Sequence, residues 1–220
     1  MQLLLQLSSL VILVFSAILH EVAHGFVAEK LGDPTARLMG RLTLNPKNHI
    51  DPMMSILLPL ILILSGSPVI FGAAKPVPVD PFNLRDGRKD MAIVSLAGPA
   101  TNVILAVLAA IITKIVLFAT AFHLFGSYST AVYSVLYWTF YMIAQINILL
   151  AIFNLIPIPP LDGSKVFALL LPEREAAIYL SLSSVGFIIV FFLLLFPIGG
   201  FSLGGLIFNL MTFSQKILGL

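Results

Sequence analysis

Apolar residues fall into six runs along the chain, and the residues that interrupt or end each run predict its element. Leu3 to Val27 is broken by charge or imidazole only at His20, Glu21 and His24. It is long enough for a membrane helix, which takes about 20 residues. Met53 to Leu64 is shorter and ends at Ser65-Gly66-Ser67-Pro68. Met91 to Phe122 is ample for a span. Ala131 to Ile156 is stopped by Pro157, Pro159 and Pro160, and Ala176 to Phe196 by Pro197 and Gly199-Gly200. Phe201 to Phe213 is the sixth run, with Gly204-Gly205 inside it. Two stretches, Ala36 to Leu44 and Val69 to Val79, carry Gly, Pro and β-branched residues without helical spacing. They predict a small sheet, with Pro76 and Pro78 confining the second stretch to an edge.

Composition fixes the solvent. Hydrophobic residues make up 59% of the 220 and charged residues only 10%, where a soluble domain carries about 25% charge. The expected class is an all-α integral membrane protein. It has five to six transmembrane helices, a re-entrant hairpin and a small membrane-associated β-sheet, in one domain over 1–220. A net charge of +2 with no basic cluster argues against nucleic acid as a partner. The absence of cysteine excludes disulfides and thiolate metal ligands. The start lacks a basic n-region and does not read as a cleavable signal peptide.

Charge also orients the runs, because cytoplasmic connections collect Lys and Arg. Lys30, Arg37, Arg41 and Lys47 follow the first run, and Lys75, Arg85, Arg88 and Lys89 follow the second. Lys165 and Arg174 follow the fourth, and Lys216 lies near the end. All fit an outside N-terminus and an inside C-terminus if Met53 to Val79 is a re-entrant hairpin. Lys114, late in the third run, is expected at the outer interface. His49 and His123 lie in connections and are expected to be solvated or interfacial.

The chemistry begins at His20-Glu21-Val22-Ala23-His24. Positions i and i+4 share a helix face, so the two imidazoles converge. Two neutral imidazoles suit Zn²⁺, and the adjacent Glu21 can act as general base to a water that the metal activates. Histidines and a glutamate idle in an apolar helix would be costly. A third ligand is available in Asn154 to Gly163, NLIPIPPLDG. Its prolines end the fourth helix at the same depth as His20 and His24. Asp162 then sits on an irregular segment, turned either to the metal or into an Asx turn, with Gly163 allowing a tight turn after it. The third run carries Gly98-Pro99-Ala100-Thr101-Asn102, where small residues let helices approach closely. Asn102 is a candidate for the substrate or oxyanion, or else an interhelical contact. Gln145, Asn147 and Asn154 are weighed the same way, with Asn154 nearest the site.

These segments together resemble the signatures of the site-2 protease family of intramembrane zinc metalloproteases. HEVAH at 20–24, Gly98 to Asn102 and NLIPIPPLDG at 154–163 occur in the family's order, and GDPTARLMGRLTLNP at 32–46 resembles its short single-domain prokaryotic branch. The resemblance implies one zinc per chain, held by His20, His24 and Asp162, with Glu21 as base and Asn102 and Asn154 lining the site. It implies cleavage of membrane-protein substrates in or near their transmembrane segments. It also implies residence in the lipid bilayer of a prokaryotic cell membrane, with the site towards the cytoplasm. A chain of this length has no room for the soluble domains of larger members. The competing readings are a non-catalytic membrane zinc protein (a transporter or pseudoprotease) and an anchored peptidase with soluble substrates. The present Glu21 and the lack of charge along the spans favour the protease. Substrate is expected to add as a strand along Val69 to Val79, because an unwound helix needs new backbone partners.

Overall fold

The computed structural model describes residues 2–57, 60, 61, 64, 75–122, 130–197 and 199–220. Three long apolar helices dominate. They are α1 (Gln2–Lys30), α3 (Gly87–Ala121) and α4 (Thr130–Asn154), with the four-residue α2 (Thr35–Leu38) after α1. Gln6–Lys30, Gly87–Ala121 and Ala131–Asn154 are each long and apolar enough to cross a membrane. Helix α3 packs along both α1 and α4. Its buried residues are mostly small, including Ala92, Gly98, Ala106, Ala109 and Ala110, which lets the backbones come close. Large apolar side chains such as Ile104, Leu108 and Ile115 point outwards, as lipid contact requires.

After α4 the proline turn leads into α5 (Asp162–Phe167), a 3₁₀ turn (Ala168–Leu170), α6 (Glu173–Ser181), α7 (Ser183–Leu195) and α8 (Leu203–Leu218). The fifth apolar run is therefore not one straight helix, since α6 and α7 meet at 67°. Helix α8 has 16 residues, about 24 Å of rise against a core of about 30 Å. The five to six expected spans become three by length among the described residues, or four if α6 and α7 form one broken span.

That break changes the course of the chain. Val190 of α7 packs with Ile156, Leu161, Leu203 and Ile207, so α7 stays beside the end of α4. Helix α8 starts there and runs back along α4. Gln215 Nε2 donates to Gln145 Oε1 at 2.5 Å, and Gly219 lies against the Lys114 ammonium. Lys216 was expected with the other basic connections. It sits instead at the Lys114 end of the bundle, opposite Lys30 and Arg41, because the fifth run fails to cross as a single straight helix.

The basic end is closed by connections without regular strands. No strand ladder is present among the described residues. Ala36 to Leu44, expected to be extended, contains most of α2 and a turn at Met39–Gly40, because Pro34 opens a helical turn there. Most of the expected hairpin, including Val69 to Ala74, lies outside the described residues. Within its described part, Pro52–Leu57 is helical and Lys75–Val79 runs without regular secondary structure. Lys75 N–H, the Lys75 and Pro76 carbonyls and Val77 N–H already have partners inside the protein, so they are not a free edge. Lys75 N–H donates to His49 O at 2.8 Å, and Arg41 Nη2 donates to Lys75 O and Pro76 O at 2.7 and 3.1 Å. His49 is buried, contrary to expectation, with Nε2 bonded to Thr43 O at 2.7 Å. The connection folds back over it. His123 lies outside the described residues.

Candidate metal centre

Helix α1 carries both imidazoles on the face turned to α3, and both are buried. Their Nε2 atoms lie 3.0 Å apart. Asp162 Oδ2 completes the triangle, at 3.1 Å from His20 Nε2 and 3.2 Å from His24 Nε2. Asp162 is not on an irregular segment, since it opens α5, with Leu161 extended before it. Gly163 makes no unusual turn. It gives room instead, because a Cβ there would collide with the carbonyl group of Leu155. Helix α5 folds back onto the end of α4 and needs that bare position. Arg88 of α3 anchors the 3₁₀ turn after α5, donating to the carbonyls of Ala168 and Leu171.

The outer imidazole nitrogens are also held. His24 Nδ1 bonds Val94 O at 2.7 Å, and a carbonyl can only accept, so the proton is on Nδ1. His20 Nδ1 bonds Asn102 Oδ1 at 2.5 Å. The Asn102 amide donates to Asn147 Oδ1 at 2.8 Å, and the Asn147 amide donates to Ser16 Oγ at 2.9 Å. Both ends of Asn102 are thus engaged and its side chain is fully buried. It faces His20, not an open cavity. Asn154 does line the cavity, with its amide donating to Leu150 O.

The donor set fits a metal ion. With both Nδ1 atoms protonated, two Nε2 lone pairs and a carboxylate oxygen face one another, and three acceptors at that range call for a shared cation, a metal ion or a proton. Tetrahedral Zn²⁺ with bonds of 2.0–2.1 Å spaces its ligand atoms by about 3.3 Å, close to the separations here. His20, His24 and Asp162 are the group of metal-ligating residues found among the described residues. Gly98 is why α3 can approach. A Cβ there would stand 2.5 Å from ring atoms of both histidines.

A cavity of about 580 Å³ opens on this triangle. Its walls are mostly apolar, from Leu13, Ala17, Met91, Leu150, Phe153 and Phe187. Glu21 projects into it, and Oε2 accepts the Val77 N–H at 2.7 Å. Lys165 also lines it and reaches Asp162 Oδ1 at 3.2 Å. Sequence reasoning missed the backbone contributions of Val94 and Val77, for which no side-chain signal exists. It also missed Lys165, whose i+3 spacing from Asp162 was legible.

Residues 8–197 match the family described as Peptidase family M50. The chain is 37% identical over 192 residues to YwhC of Bacillus subtilis, named as a candidate zinc metalloprotease, covering 87% of this chain and 81% of YwhC. It is 32% identical over 182 residues to Rip2 of Mycobacterium tuberculosis, likewise named as a candidate zinc metalloprotease, covering 82% of this chain and 63% of Rip2. The Rip2 of Mycolicibacterium smegmatis matches at 32% over 83% of this chain and 64% of its own length. The chain thus spans less than two thirds of the Rip2 proteins. No solved structure matches it. An HExxH pair completed by a distant aspartate, in a sequence matched over most of its length, places the chain in peptidase family M50, the site-2 protease family of zinc metalloproteases.

Proposed function

We propose that this metalloprotease hydrolyses peptide bonds in or near the transmembrane segments of membrane proteins, with Glu21 as general base. The observation that supports this reading is the place of the site. His20, Glu21 and His24 lie within the 25-residue apolar stretch Gln6–Lys30, and the cavity they share is walled mainly by apolar side chains. A substrate reaching that cavity comes from an apolar environment. His20, His24 and Asp162 would hold zinc, which when bound polarises water and the scissile carbonyl. Glu21 accepts a proton from the attacking water and returns it to the amide nitrogen as the C–N bond breaks. Val77 N–H fixes Oε2 of that carboxylate, while Oε1 has no hydrogen bond among the described residues. Asn102 keeps the His20 proton on Nδ1 and so keeps Nε2 available. Asn154 is the side-chain amide that meets substrate. The bacterial relatives support a cell-membrane location, and the basic residues at the metal end of the bundle support a site towards the cytoplasm.

The test pairs wild type with Glu21→Gln against candidate single-span membrane proteins. Glutamine keeps the size but cannot take the proton, and general base catalysis contributes about 10²–10⁴-fold. Cleavage is expected to fall by that order while zinc content is unchanged. Equal cleavage by both proteins would remove Glu21 from the mechanism.

A further inference from the structure

We propose that Arg41 is a positioning residue, which acts through the segment Lys75–Val79 to hold the Glu21 carboxylate in its working orientation. The inference rests on Glu21 being the general base. Arg41 is only 7% exposed. None of the described ion pairs includes it, and its Nε is buried without a hydrogen-bond partner among the described residues. A buried guanidinium held by carbonyls alone is expensive, and an apolar side chain would fill the space at less cost. What the guanidinium secures is the carbonyl pair of Lys75 and Pro76, at 2.7 and 3.1 Å from Nη2. The next peptide N–H along the chain is Val77's, which donates to Glu21 Oε2 at 2.7 Å.

The segment is built to keep that N–H in place. Pro76 and Pro78 flank Val77, lack donors of their own and fix their own φ angles. Lys75 N–H is tied to His49 O on one side, and Asp80 N–H is tied to Asp33 Oδ2 on the other, at 2.8 and 2.7 Å. The seat on α1 is Gly25, one turn beyond Glu21. A Cβ at Gly25 would meet Ala36 Cβ, Leu42 Cδ2 and Val77 Cγ1, each at 2.8 Å. Ala36 and Leu42, five residues before and one after Arg41, and Val77, which bonds the base, therefore converge on one bare patch of α1. A carboxylate base works only when its free lone pair lies along the water's O–H. Tying Oε2 to a pinned backbone N–H sets the carboxylate plane and leaves Oε1 for the proton.

The experiment uses full-length, zinc-loaded protein and a single-span substrate that the wild type cleaves. Arg41→Met keeps most of the volume and removes the donors, and Val77→Pro removes the N–H together with the Val77 side chain that packs at Gly25. Misplacing a catalytic group by about 1 Å costs about 10²-fold, so kcat should fall by about that factor in each variant. KM should stay within about threefold, and zinc content should be unchanged. Arg41→Lys should recover part of kcat. Because Arg41 acts through Val77, the double variant should be no slower than the worse single one. An independent readout is amide exchange over Lys75–Asp80 in the zinc-free protein. Exchange at Val77 should speed up in Arg41→Met and in Glu21→Leu. The proposal is overturned if kcat stays within about twofold of wild type in either single variant, if the two effects multiply, or if Val77 exchange is unchanged in Arg41→Met. Misfolding of Arg41→Met gives no shelter, since normal kcat in Val77→Pro alone overturns it. A wild type that cleaves no single-span membrane protein would instead count against the proposed membrane-protein substrates, before any variant is compared.

Discussion

Asp33 and Asp162 are both buried carboxylates near helix ends, and they are satisfied in opposite ways. Every neighbour of Asp33 is a donor. Thr35 N–H and the Asn83 amide reach Oδ1 at 3.0 Å each, the Thr35 hydroxyl joins them, and Asp80 N–H reaches Oδ2 at 2.7 Å. Burial alone would raise the Asp33 pKa, but these hydrogen bonds outweigh it and hold the carboxyl below its ordinary value. The polar groups are complete within the chain, and their effect is to clamp the end of α1 to the last residues of the connection before α3. Asp162 Oδ2 faces two imidazole nitrogens whose protons are on the far side of each ring. Only Lys165, on the other oxygen, offers a donor. A buried charge surrounded by donors is scaffold. A buried charge facing acceptors is a site waiting for a cation.

The largest effect should come from breaking the incomplete cluster. Structural zinc sites bind with about 10–16 kcal/mol, so one of three protein ligands is worth about 3–5 kcal/mol, or about two to four decades of affinity. Asp162→Ala is expected to lose zinc to a competing chelator by that margin and to lose proteolysis with it. The metal-free protein should melt at or above the wild-type apo temperature, because a buried carboxylate that Lys165 compensates only in part is gone. Melting well below it would mean that Asp162 is scaffold after all.

Asp33→Ala should do the reverse. It leaves the half-buried donors of Thr35 and Asp80 and the exposed Asn83 amide without their acceptor, each costing about 1–3 kcal/mol less what water recovers, so a stability loss of about 2 kcal/mol is expected. Zinc affinity should hold. The sign with pH comes from the lowered pKa. The stabilisation from Asp33 is present above the ordinary carboxylate pKa and is lost as pH falls towards the folded value. Thermal unfolding of wild type and variant at several acid pH values checks both, and curves that stay parallel would contradict it.

The same contrast explains what the sequence made legible. His20, Glu21 and His24 are readable because helical spacing fixes which side chains meet. Gly98 is readable because two helices must touch there. Asp162 is readable because the prolines before it must end α4. Asp33 was not singled out, since its partners Thr35, Asp80 and Asn83 are joined by a fold that no local pattern announces. The C-terminal course was misread for a related reason. An apolar run such as Ala176 to Phe196 does not reveal that it bends at Leu182, and one missed crossing moves Lys216 to the opposite end. Asn102 was expected either at the substrate or in an interhelical contact, and its contacts to His20 and Asn147 could only be seen once α1, α3 and α4 were packed.

Asn102 gives the smallest and most discriminating prediction, because it joins the two kinds of cluster. Its oxygen orients His20, a proposed metal ligand, and its amide belongs to a chain of donors and acceptors ending at Ser16. Removing the partner of a ligating histidine typically costs 10–100-fold in metal affinity. Asn102→Ala should show that loss, with about 1 kcal/mol of stability lost as Asn147 Oδ1 is orphaned. Asn102→Asp separates the two roles. The carboxylate still accepts from His20 Nδ1 and makes that ring a better ligand, so zinc affinity should match or exceed wild type. The carboxylate offers nothing to Asn147 Oδ1, so the apo protein should be less stable than wild type. Competition for zinc and apo-protein melting, measured on both variants, give the four values needed. If Asn102→Asp binds zinc as weakly as Asn102→Ala, orientation of His20 is not what Asn102 supplies.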